Sequence, residues 1–298
     1  MMQKIMDCFL CHSNKTTRFE STHSFGLKLI YYQCETCGFI FQSPKNSNTL
    51  DPDFYSETYR KIYQDSAEPT PKDLWVQQKR AEVLLSTVKT LIFGEPDRHL
   101  DIGASSGLLL ETFKQAYGCE SVGIEPGIAY REFAERQGLE MYPSIDSLLK
   151  PESQRFDFIS IIHVLEHLEN PLETLQTIRT ALLKENGYLL IEVPNFYFHD
   201  SYELAHLTCF TPHTLKEIVK QAGYQILFTN THGLPRSSLL NLYITLLARP
   251  EPETKDKPKI IPERFVREKR RLGFLYRKII QKIAPEKAWI PIPDEIFS

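Results

Sequence analysis

The stretch HLDIGASSGLLLETF, residues 99–113, decides the fold. Its apolar run ends at Asp101, a loop of small residues lies between Gly103 and Gly107, and an amphipathic helical pattern follows immediately. A strand-to-helix turn without bulky side chains leaves main-chain N–H groups free and lets a ligand approach the backbone closely. The turn therefore predicts a site for a phosphate, a dinucleotide or an adenosine compound.

The glycine spacing in this loop argues against a dinucleotide. The dinucleotide fingerprint requires G-x-G-x-x-G, but Ser105 and Leu108 stand at the second and third glycine positions. Glu125 ends the next predicted strand, where a carboxylate can accept hydrogen bonds from both ribose hydroxyls. The residues favour an adenosine ligand that needs no pyrophosphate site.

Strand-like and helical patterns alternate after the loop. Strand-like runs such as ESVGIEP (120–126), FDFISIIHVL (156–165) and YLLIEVPN (188–195) alternate with helical runs such as IAYREFAERQG (128–138). This alternation predicts an α/β fold, with an open, mostly parallel sheet and helices on both faces.

Two cysteine pairs lie near the N-terminus, Cys8 with Cys11 and Cys34 with Cys37. The 22 residues between the pairs are close to the usual spacing of a four-cysteine zinc site. Four thiolates fill a tetrahedral coordination sphere, so we expect a structural Zn²⁺. The ion would stabilise residues 1–45, a segment too short to build a core alone.

Composition and charge narrow the class of protein. The 298 residues are 42% hydrophobic and 24% charged, and they contain neither a signal-peptide pattern nor an apolar run of membrane-spanning length. These features predict a cytoplasmic globular protein with reduced thiols. Only Lys15, Arg18 and Lys28 are basic between the cysteine pairs, which argues against nucleic acid as a partner.

Five stretches in order carry a family resemblance: LDIGASSG (100–107), VGIEP (122–126), FDFISIIHVLEHLENP (156–171), LLKENGYLLIEVPN (182–195) and HLTCFTPHTLKEIVKQAGYQI (206–226). Together they resemble the class I S-adenosylmethionine-dependent methyltransferases over about residues 96–248. With its four cysteines, the chain is similar to zinc-containing methyltransferases of sugars and secondary metabolites. The resemblance implies a Rossmann-like fold with a mostly parallel seven-stranded sheet, a small zinc-ribbon-like N-terminal region and a basic C-terminal helix.

We expect four segments: a zinc-binding region over 1–45, a helical linker or lid over 46–95, the S-adenosylmethionine-binding domain over 96–250 and a basic amphipathic tail over 251–298. In the second segment Tyr55, Tyr59 and Tyr63 are spaced four residues apart. They could form a lid over the cofactor or one packed face of a helix.

The resemblance also implies positions that bind S-adenosylmethionine. We expect the methionine part to be surrounded by Asp101, Gly103, Ala104 and Gly107. Glu125 is expected to bind the ribose, Asp146 to lie near the adenine and His163 to face the sulfonium. Asp146 could instead cap the helix that follows it. Glu166 and His167 could line the site or have only packing or capping roles.

Methyl transfer to a hydroxyl requires an aligned acceptor and removal of its proton. An imidazole is a suitable base near neutral pH. His206 follows the fifth predicted strand, where this family has substrate-facing residues, so we expect it to be the general base. His163, His199 and Glu203 are the alternatives, and His206 could also be a structural histidine bonded to the backbone.

The acceptor is expected to be a sugar, glycan or secondary metabolite methylated on oxygen. Sugar C-methyltransferases carry a Tyr-His-Glu-His-Leu segment, in place of which this chain has residues 203–207, Glu-Leu-Ala-His-Leu. It also stops short of their extra C-terminal domain. C-methylation is therefore the alternative, and a non-catalytic binding module on the same scaffold is a hypothesis of a different class.

The tail ERFVREKRRLGFLYRKIIQKIA (263–284) predicts a basic amphipathic helix, in a segment that carries a charge of +8 over residues 255–287. Its apolar positions are Leu272, Leu275, Tyr276, Ile279, Ile280 and Ile283. Such a face can pack on its own domain or on a second subunit as a homodimer. It could instead lie on an anionic membrane surface as a peripheral contact.

Overall fold

A computed structural model describes residues 7–43, 68–149, 155–252 and 258–297. The strands are β1 (Thr16–Ser24), β2 (Leu27–Cys34), β3 (Ile40–Gln42), β4 (Arg98–Ile102), β5 (Glu120–Ile124), β6 (Glu140–Tyr142), β7 (Phe156–Ile162), β8 (Leu183–Pro194), β9 (Thr208–Cys209), β10 (Tyr224–His232) and β11 (Tyr243–Pro250). The helices are α1 (Pro71–Lys89), α2 (Leu108–Tyr117), α3 (Ile128–Arg136), α4 (Ile145–Leu148), α5 (Pro171–Thr177), α6 (Pro212–Gln221), α7 (Val266–Ile283) and α8 (Pro285–Ala288). Tyr55, Tyr59 and Tyr63 lie outside the described residues, so their predicted role stays a prediction.

The larger sheet has seven strands in the order β10-β11-β8-β7-β4-β5-β6. β8, β7, β4, β5 and β6 pair in parallel, whereas β11 runs antiparallel between β8 and β10. This confirms the predicted mostly parallel seven-stranded sheet. From β4 the chain continues to β5 and β6 on one side, whereas from β7 it continues to β8 on the other side. In open α/β sheets, ligands bind at the carboxyl ends of the strands at such a switch point.

The core of the molecule lies against both faces of this sheet. Leu100, Ile159, Ile161 and Leu189 are fully buried, as expected for strands covered on both sides by helices. The near-continuous apolar runs of the sequence therefore reflect burial on both faces. A rigid sheet of this kind fixes the positions of the loops at its carboxyl edge.

The smaller sheet joins the N-terminal region to the rest of the chain. Its order is β1-β2-β3-β9, and β9 lies far downstream of the other three strands. Ile40 pairs with Cys209 and Phe41 pairs with Thr208. The zinc-binding region predicted over 1–45 thus shares its sheet with the segment that follows β8.

Two tight turns bring the four N-terminal cysteines together. The N–H of His12 donates to the Cys8 carbonyl at 2.8 Å, and the N–H of Gly38 donates to the Cys34 carbonyl at 2.9 Å. The Sγ atoms of Cys8 and Cys37 are 3.5 Å apart, and those of Cys11 and Cys34 are 3.4 Å apart. All four lie within 4.8 Å of one another, so this donor set fits one tetrahedral ion.

The tail forms α7 as predicted, but its apolar face does not pack on the domain. Leu272 and Ile283 are 66% and 71% exposed, and of the six predicted apolar positions only Ile280 is buried. The buried side instead carries Arg270, whose guanidinium lies 4.1 Å from the ring centroid of Phe196. The expectation of packing on its own domain is wrong for most of this face. Contact with a second copy or a membrane surface stays a prediction.

No helix among the described residues is both long enough and apolar enough to span a bilayer.

The cysteine cluster generates a prediction about metal content. Purified protein should contain about one zinc per chain, and changing Cys34 and Cys37 to Ser should remove it. Because the ion replaces a hydrophobic core in this region, amide hydrogen exchange should increase in β1 to β3 and, through pairing, in β9.

Elemental analysis and exchange mass spectrometry measure these two quantities. Cys119→Ser is the matched control, because Cys119 is buried on the larger domain away from the cluster, and it should retain zinc. A zinc-free wild type with normal protection in β1 to β3 would contradict the assignment.

Candidate functional site

A cavity of about 890 Å³ opens at the carboxyl edge of the larger sheet. The residues that end β4, β5, β7 and β8 all line it, as do residues of α1 and of the segment after α7. Glu125 and Asp101 lie at one end of the lining, and His163 and His206 are also part of it. The structure therefore brings together four of the side chains that the sequence predicted for cofactor binding and catalysis.

The small-residue loop passes very close to the segment after β7. The N–H groups of Gly103 and Ala104 both donate to the Ile124 carbonyl, at 2.7 and 2.9 Å. Gly103 has a φ of +80°, and a Cβ built there would lie 2.1 Å from Cγ2 of Val164. Backbone conformation and the neighbouring valine thus both favour glycine here, and the predicted role of Gly103 at the methionine part of the cofactor stays a prediction.

Glu125 is held by main-chain donors on both of its carboxylate oxygens. The Ser105 N–H donates to Oε2 and the Gly127 N–H donates to Oε1, each at 2.8 Å. The side chain is buried but borders the cavity. Each carboxylate oxygen can accept more than one hydrogen bond, so a carboxylate at this border suits a ligand that carries hydroxyl groups.

Asp101 is a buried acid at the same end of the cavity. Burial raises the pKa of Asp101 to about 7, against the opposing effect of a 2.6 Å hydrogen bond donated by Ser160. The nearby Glu125 carboxylate raises this pKa further. A cationic group bound here would favour the ionised carboxylate, so this end of the cavity suits a ligand with positive charge.

Helix α1 covers the cavity and is tied to the loop below it. Gln77 Oε1 accepts a hydrogen bond from Ser106 Oγ at 2.6 Å. Further along the helix, Arg80 reaches Glu192, with Nε 3.1 Å from Oε1, and its guanidinium lies over the ring of Tyr243. Side chains of α1 thus form part of the cavity wall, whereas the role of residues 46–95 as a lid stays a prediction.

His163 stands at the end of β7 in a strained conformation. Its φ is +54°, a left-handed value that is unusual for a residue other than glycine. The His163 N–H donates to the Glu192 carbonyl at 2.8 Å, and its Nε2 lies 3.2 Å from Glu192 Oε1. These two contacts hold the ring at the cavity wall.

Glu192 is a fully buried carboxylate within β8. Burial raises the pKa of Glu192, but hydrogen bonds with His163 and His232 and the charge of Arg80 outweigh burial and hold it well below its ordinary value. Thr245 also donates to Oε2 at 2.9 Å. An ionised Glu192 therefore fixes side chains from β7, β10, β11 and α1 around one point.

Hydrogen bonds to the main chain fix His206 and the residues beside it. Its Nδ1 lies 3.2 Å from the Ser201 carbonyl, and the Tyr31 hydroxyl donates to the Glu203 carbonyl at 2.8 Å. The N–H of the next residue, Leu207, donates to the Glu166 carbonyl at 2.9 Å. The Leu207 carbonyl accepts a hydrogen bond from the Gln42 N–H at 2.8 Å. The N-terminal region thus positions the segment that carries His206.

Two predicted cofactor residues are placed elsewhere. Asp146 is exposed in the first turn of α4 and does not line the cavity, although its neighbours Ser144 and Ile145 do. Gly107 is also absent from the lining, since a Cβ there would meet Leu139 instead.

Sequence reasoning missed several residues of the site. Trp289 and Ile290, after α7, line the cavity, as does Arg236. These residues lie outside the stretches that carried the family resemblance and outside the tail pattern. Glu192 carried a usable signal, because it is a single acid inside the apolar run LLIEVP.

The sequence and fold match known methyltransferases. Residues 76–228 match the family described as "Methyltransferase domain". A ubiquinone biosynthesis O-methyltransferase from Actinobacillus pleuropneumoniae is 31% identical over 115 residues, which are 35% of this chain and 47% of that enzyme. One from Hahella chejuensis is 32% identical over 85 residues, 26% of this chain and 35% of that enzyme. The chain thus spans less than half the length of these relatives.

Two solved structures share the fold. A methyltransferase from Streptomyces caelestis aligns with a TM-score of 0.50 and 14% identity, over 68% of this chain and all of the other. A protein from Pyrococcus horikoshii aligns with a TM-score of 0.51 and 13% identity, over 65% of this chain and 99% of the other. These likenesses concern the fold alone.

The contact at Gly103 can be tested by comparison with a second glycine. Gly103 and Gly118 have φ values of +80° and +68°, but a Cβ at Gly118 meets nothing within 4 Å. Gly118→Ala should cost about 1–2 kcal/mol of unfolding free energy, from backbone strain alone. Gly103→Ala should cost about 1–3 kcal/mol more, because the new methyl overlaps Val164.

Chemical denaturation of both variants measures the difference. Adding Val164→Ala to Gly103→Ala should recover part of the extra cost. Equal losses in the two single variants would contradict the close contact.

Proposed function

Because the chain belongs to the methyltransferase-domain family, we propose that it transfers a methyl group from S-adenosylmethionine to a hydroxyl of a small-molecule or glycan acceptor. The observation that carries this proposal is the single cavity with two chemically different ends. One end has buried carboxylates beside the small-residue loop. The other has histidines held by main-chain and carboxylate contacts.

The carboxylate end suits the cofactor. The Glu125 carboxylate lines the cavity and would accept hydrogen bonds from the ribose hydroxyls, and the main chain at Gly103 and Ala104 borders the cavity with little side-chain bulk. Asp101, with its raised pKa, becomes fully ionised when a cation binds beside it, which favours the ammonium or sulfonium of the methionine part. We keep Gly107 and Asp146 as proposed cofactor positions that act only through the adjacent main chain.

The reaction places simple demands on the chain. S-adenosylmethionine supplies a methyl group bound to a sulfonium, and the electron pair of the broken C–S bond stays on sulfur. The chain must align the acceptor oxygen with that methyl group and stabilise the oxygen as its proton leaves. The new O–CH₃ bond then forms with no net change in oxidation state.

The histidine end suits the acceptor. The Ser201 carbonyl beside Nδ1 of His206 can only accept a hydrogen bond, so Nδ1 carries a proton. Nε2, which lies 3.7 Å from Glu203 Oε2, is then the nitrogen that would take the proton of the acceptor hydroxyl. His163, which also lines the cavity, is the second proposed catalytic side chain.

Oxygen is the acceptor atom that the observations favour. Leu204, at the position of the first histidine in the C-methyltransferase segment, is an apolar side chain only 2% exposed. The similarity to ubiquinone biosynthesis O-methyltransferases over about a third of the chain also supports O-methylation. Trp75, Trp289 and Tyr243 in the lining suit an acceptor with a flat ring or sugar face. The sugar or secondary-metabolite class rests on the sequence resemblance.

The four cysteines supply a structural Zn²⁺ in this proposal. All four positions are filled by protein thiols, so no coordination site remains for a substrate. The ion stabilises the turn that precedes β3, which pairs with β9 beside His206.

Glu125→Gln tests the cofactor end. The amide would place an NH₂ group against a main-chain N–H, and it would remove the negative charge that strengthens hydrogen bonds from the ribose hydroxyls. We expect S-adenosylmethionine affinity to fall about ten- to a hundredfold by isothermal titration calorimetry. Glu120→Gln, at the opposite and exposed end of β5, is the matched control and should bind normally. Equal affinities in both variants would contradict this cofactor site.

His206→Ala tests the acceptor end. Cofactor affinity should stay within about threefold of the wild type, whereas turnover should fall about 10²–10⁴-fold because the acceptor oxygen is no longer stabilised. Turnover is measured by mass spectrometry on an acceptor found by screening nucleotide sugars and hydroxylated natural products. His23→Ala, an exposed histidine on β1, is the control. Full turnover in His206→Ala would remove this residue from the mechanism.

A further inference from the structure

Helix α7 carries an apolar stripe on its solvent side. Its members follow one another at three, four, seven and eleven residues from the first, a spacing that places side chains on one helical face: Leu272, Leu275, Tyr276, Ile279 and Ile283. The four aliphatic members are between 47% and 71% exposed. A lone exposed apolar side chain is ordinary, but a continuous apolar stripe marks a contact surface.

The buried side of α7 is fixed by close contacts with the segment after β8. A Cβ built at Gly273 would overlap the Tyr197 carbonyl oxygen, so the helix meets the main chain directly at this point. The Arg270 guanidinium donates to the Phe196 carbonyl and lies over the rings of Phe196 and Tyr202, 4.1 and 4.5 Å from their centroids. Rotating the helix to bury the stripe would break these contacts. The stripe is therefore held on the surface.

A line of basic side chains runs beside the apolar stripe. Arg271, Lys278 and Lys282 are exposed, and each stands one residue before a member of the stripe. No side-chain hydrogen bond or ion pair engages any of the three within the part of the chain that the structure describes. The whole of α7 contains seven basic residues and a single acid, the exposed Glu268. This surface therefore combines apolar side chains with positive charge that the helix does not neutralise.

We propose that the α7 face, defined as the apolar stripe together with Arg271, Lys278 and Lys282, docks on a bilayer surface that contains anionic phospholipids. The stripe would enter the boundary between headgroups and acyl chains while the helix lies in the plane of the surface. The long basic side chains would reach the lipid phosphates from the edge of the stripe. Anionic lipid supplies the negative charge that α7 lacks.

A second copy of the chain is the competing occupant of this face. In a two-fold pair the same patch covers itself on both copies. Two sets of Arg271, Lys278 and Lys282 would then meet at one interface, with only Glu268 of each copy to offset them. Like charges brought together at an interface weaken association, whereas an anionic bilayer attracts the same charges. Charge complementarity thus favours the lipid surface.

Vesicle co-sedimentation of the full-length protein tests this docking surface. Vesicles of phosphatidylcholine and phosphatidylglycerol in equal parts should bind the protein at least about tenfold more tightly than vesicles of phosphatidylcholine alone. Added salt should weaken this binding, because it screens exposed charges.

Two sets of substitutions separate the contributions of charge and apolar contact. Arg271→Gln, Lys278→Gln and Lys282→Gln together should weaken binding to the anionic vesicles about a hundredfold, since each Lys or Arg near an anionic surface contributes roughly fivefold. Leu272→Gln with Ile279→Gln should weaken it at least about tenfold, because two aliphatic side chains no longer enter the bilayer.

The matched control removes three cations from exposed positions on α1 and α2, by Lys79→Gln, Lys89→Gln and Lys114→Gln. It changes the net charge equally but leaves the α7 face intact, so vesicle binding should stay within about threefold of the wild type. Circular dichroism and thermal denaturation should show that all of these variants fold normally, because every changed side chain is exposed.

Absence of binding to the anionic vesicles, or equal losses in the two triple variants, would overturn the proposal. A stable dimer in analytical ultracentrifugation that Leu272→Gln with Ile279→Gln dissociates would also overturn it, because the face would then belong to a second copy. Neither measurement uses the cofactor or an acceptor, so the result is independent of the proposed methyl transfer.

Discussion

The main-chain hydrogen bonds of residues 206–209 are the constraint on which the rest of the site depends. On one side the Leu207 N–H donates to the Glu166 carbonyl, and on the other the Leu207 carbonyl accepts from Gln42. The segment after β8 is thus fixed between the larger sheet and a β-strand from the N-terminal region. Because these bonds hold the backbone of Glu166 and His206 together, the acceptor end of the cavity depends on contacts formed more than 160 residues apart in sequence.

Burial affects the charge of the carboxyl groups around the cavity in different ways. At the cofactor end, burial leaves Asp101 easily protonated, so a bound cation restores its charge. Behind the cavity wall, Glu192 remains ionised because His163, His232 and Arg80 compensate for its burial. At the acceptor end, Glu166 has no hydrogen-bond partner among the described residues, and only neighbouring histidines offset its charge.

The sequence predicted those parts of the site that depend on residues close together in the chain. The glycine loop, Glu125 and the alternation of strands and helices follow from turn chemistry, apolar periodicity and family resemblance, because each depends on residues close together in the chain. The cysteine spacing likewise predicted the thiol cluster. The sequence did not predict that Trp289 would line the cavity or that Arg270 would be buried against Phe196. Both depend on how the tail packs, and an amphipathic pattern cannot say which face is covered: here the apolar face is the exposed one.

The central claim is that one cavity holds the methyl donor and the acceptor end side by side. A crystal structure of the full chain with the demethylated product S-adenosylhomocysteine tests it most directly. The account predicts both ribose hydroxyls within about 3 Å of Glu125 and the sulfur directed toward His163 and His206. A nucleoside bound away from Glu125, or a sulfur directed away from these histidines, would contradict it.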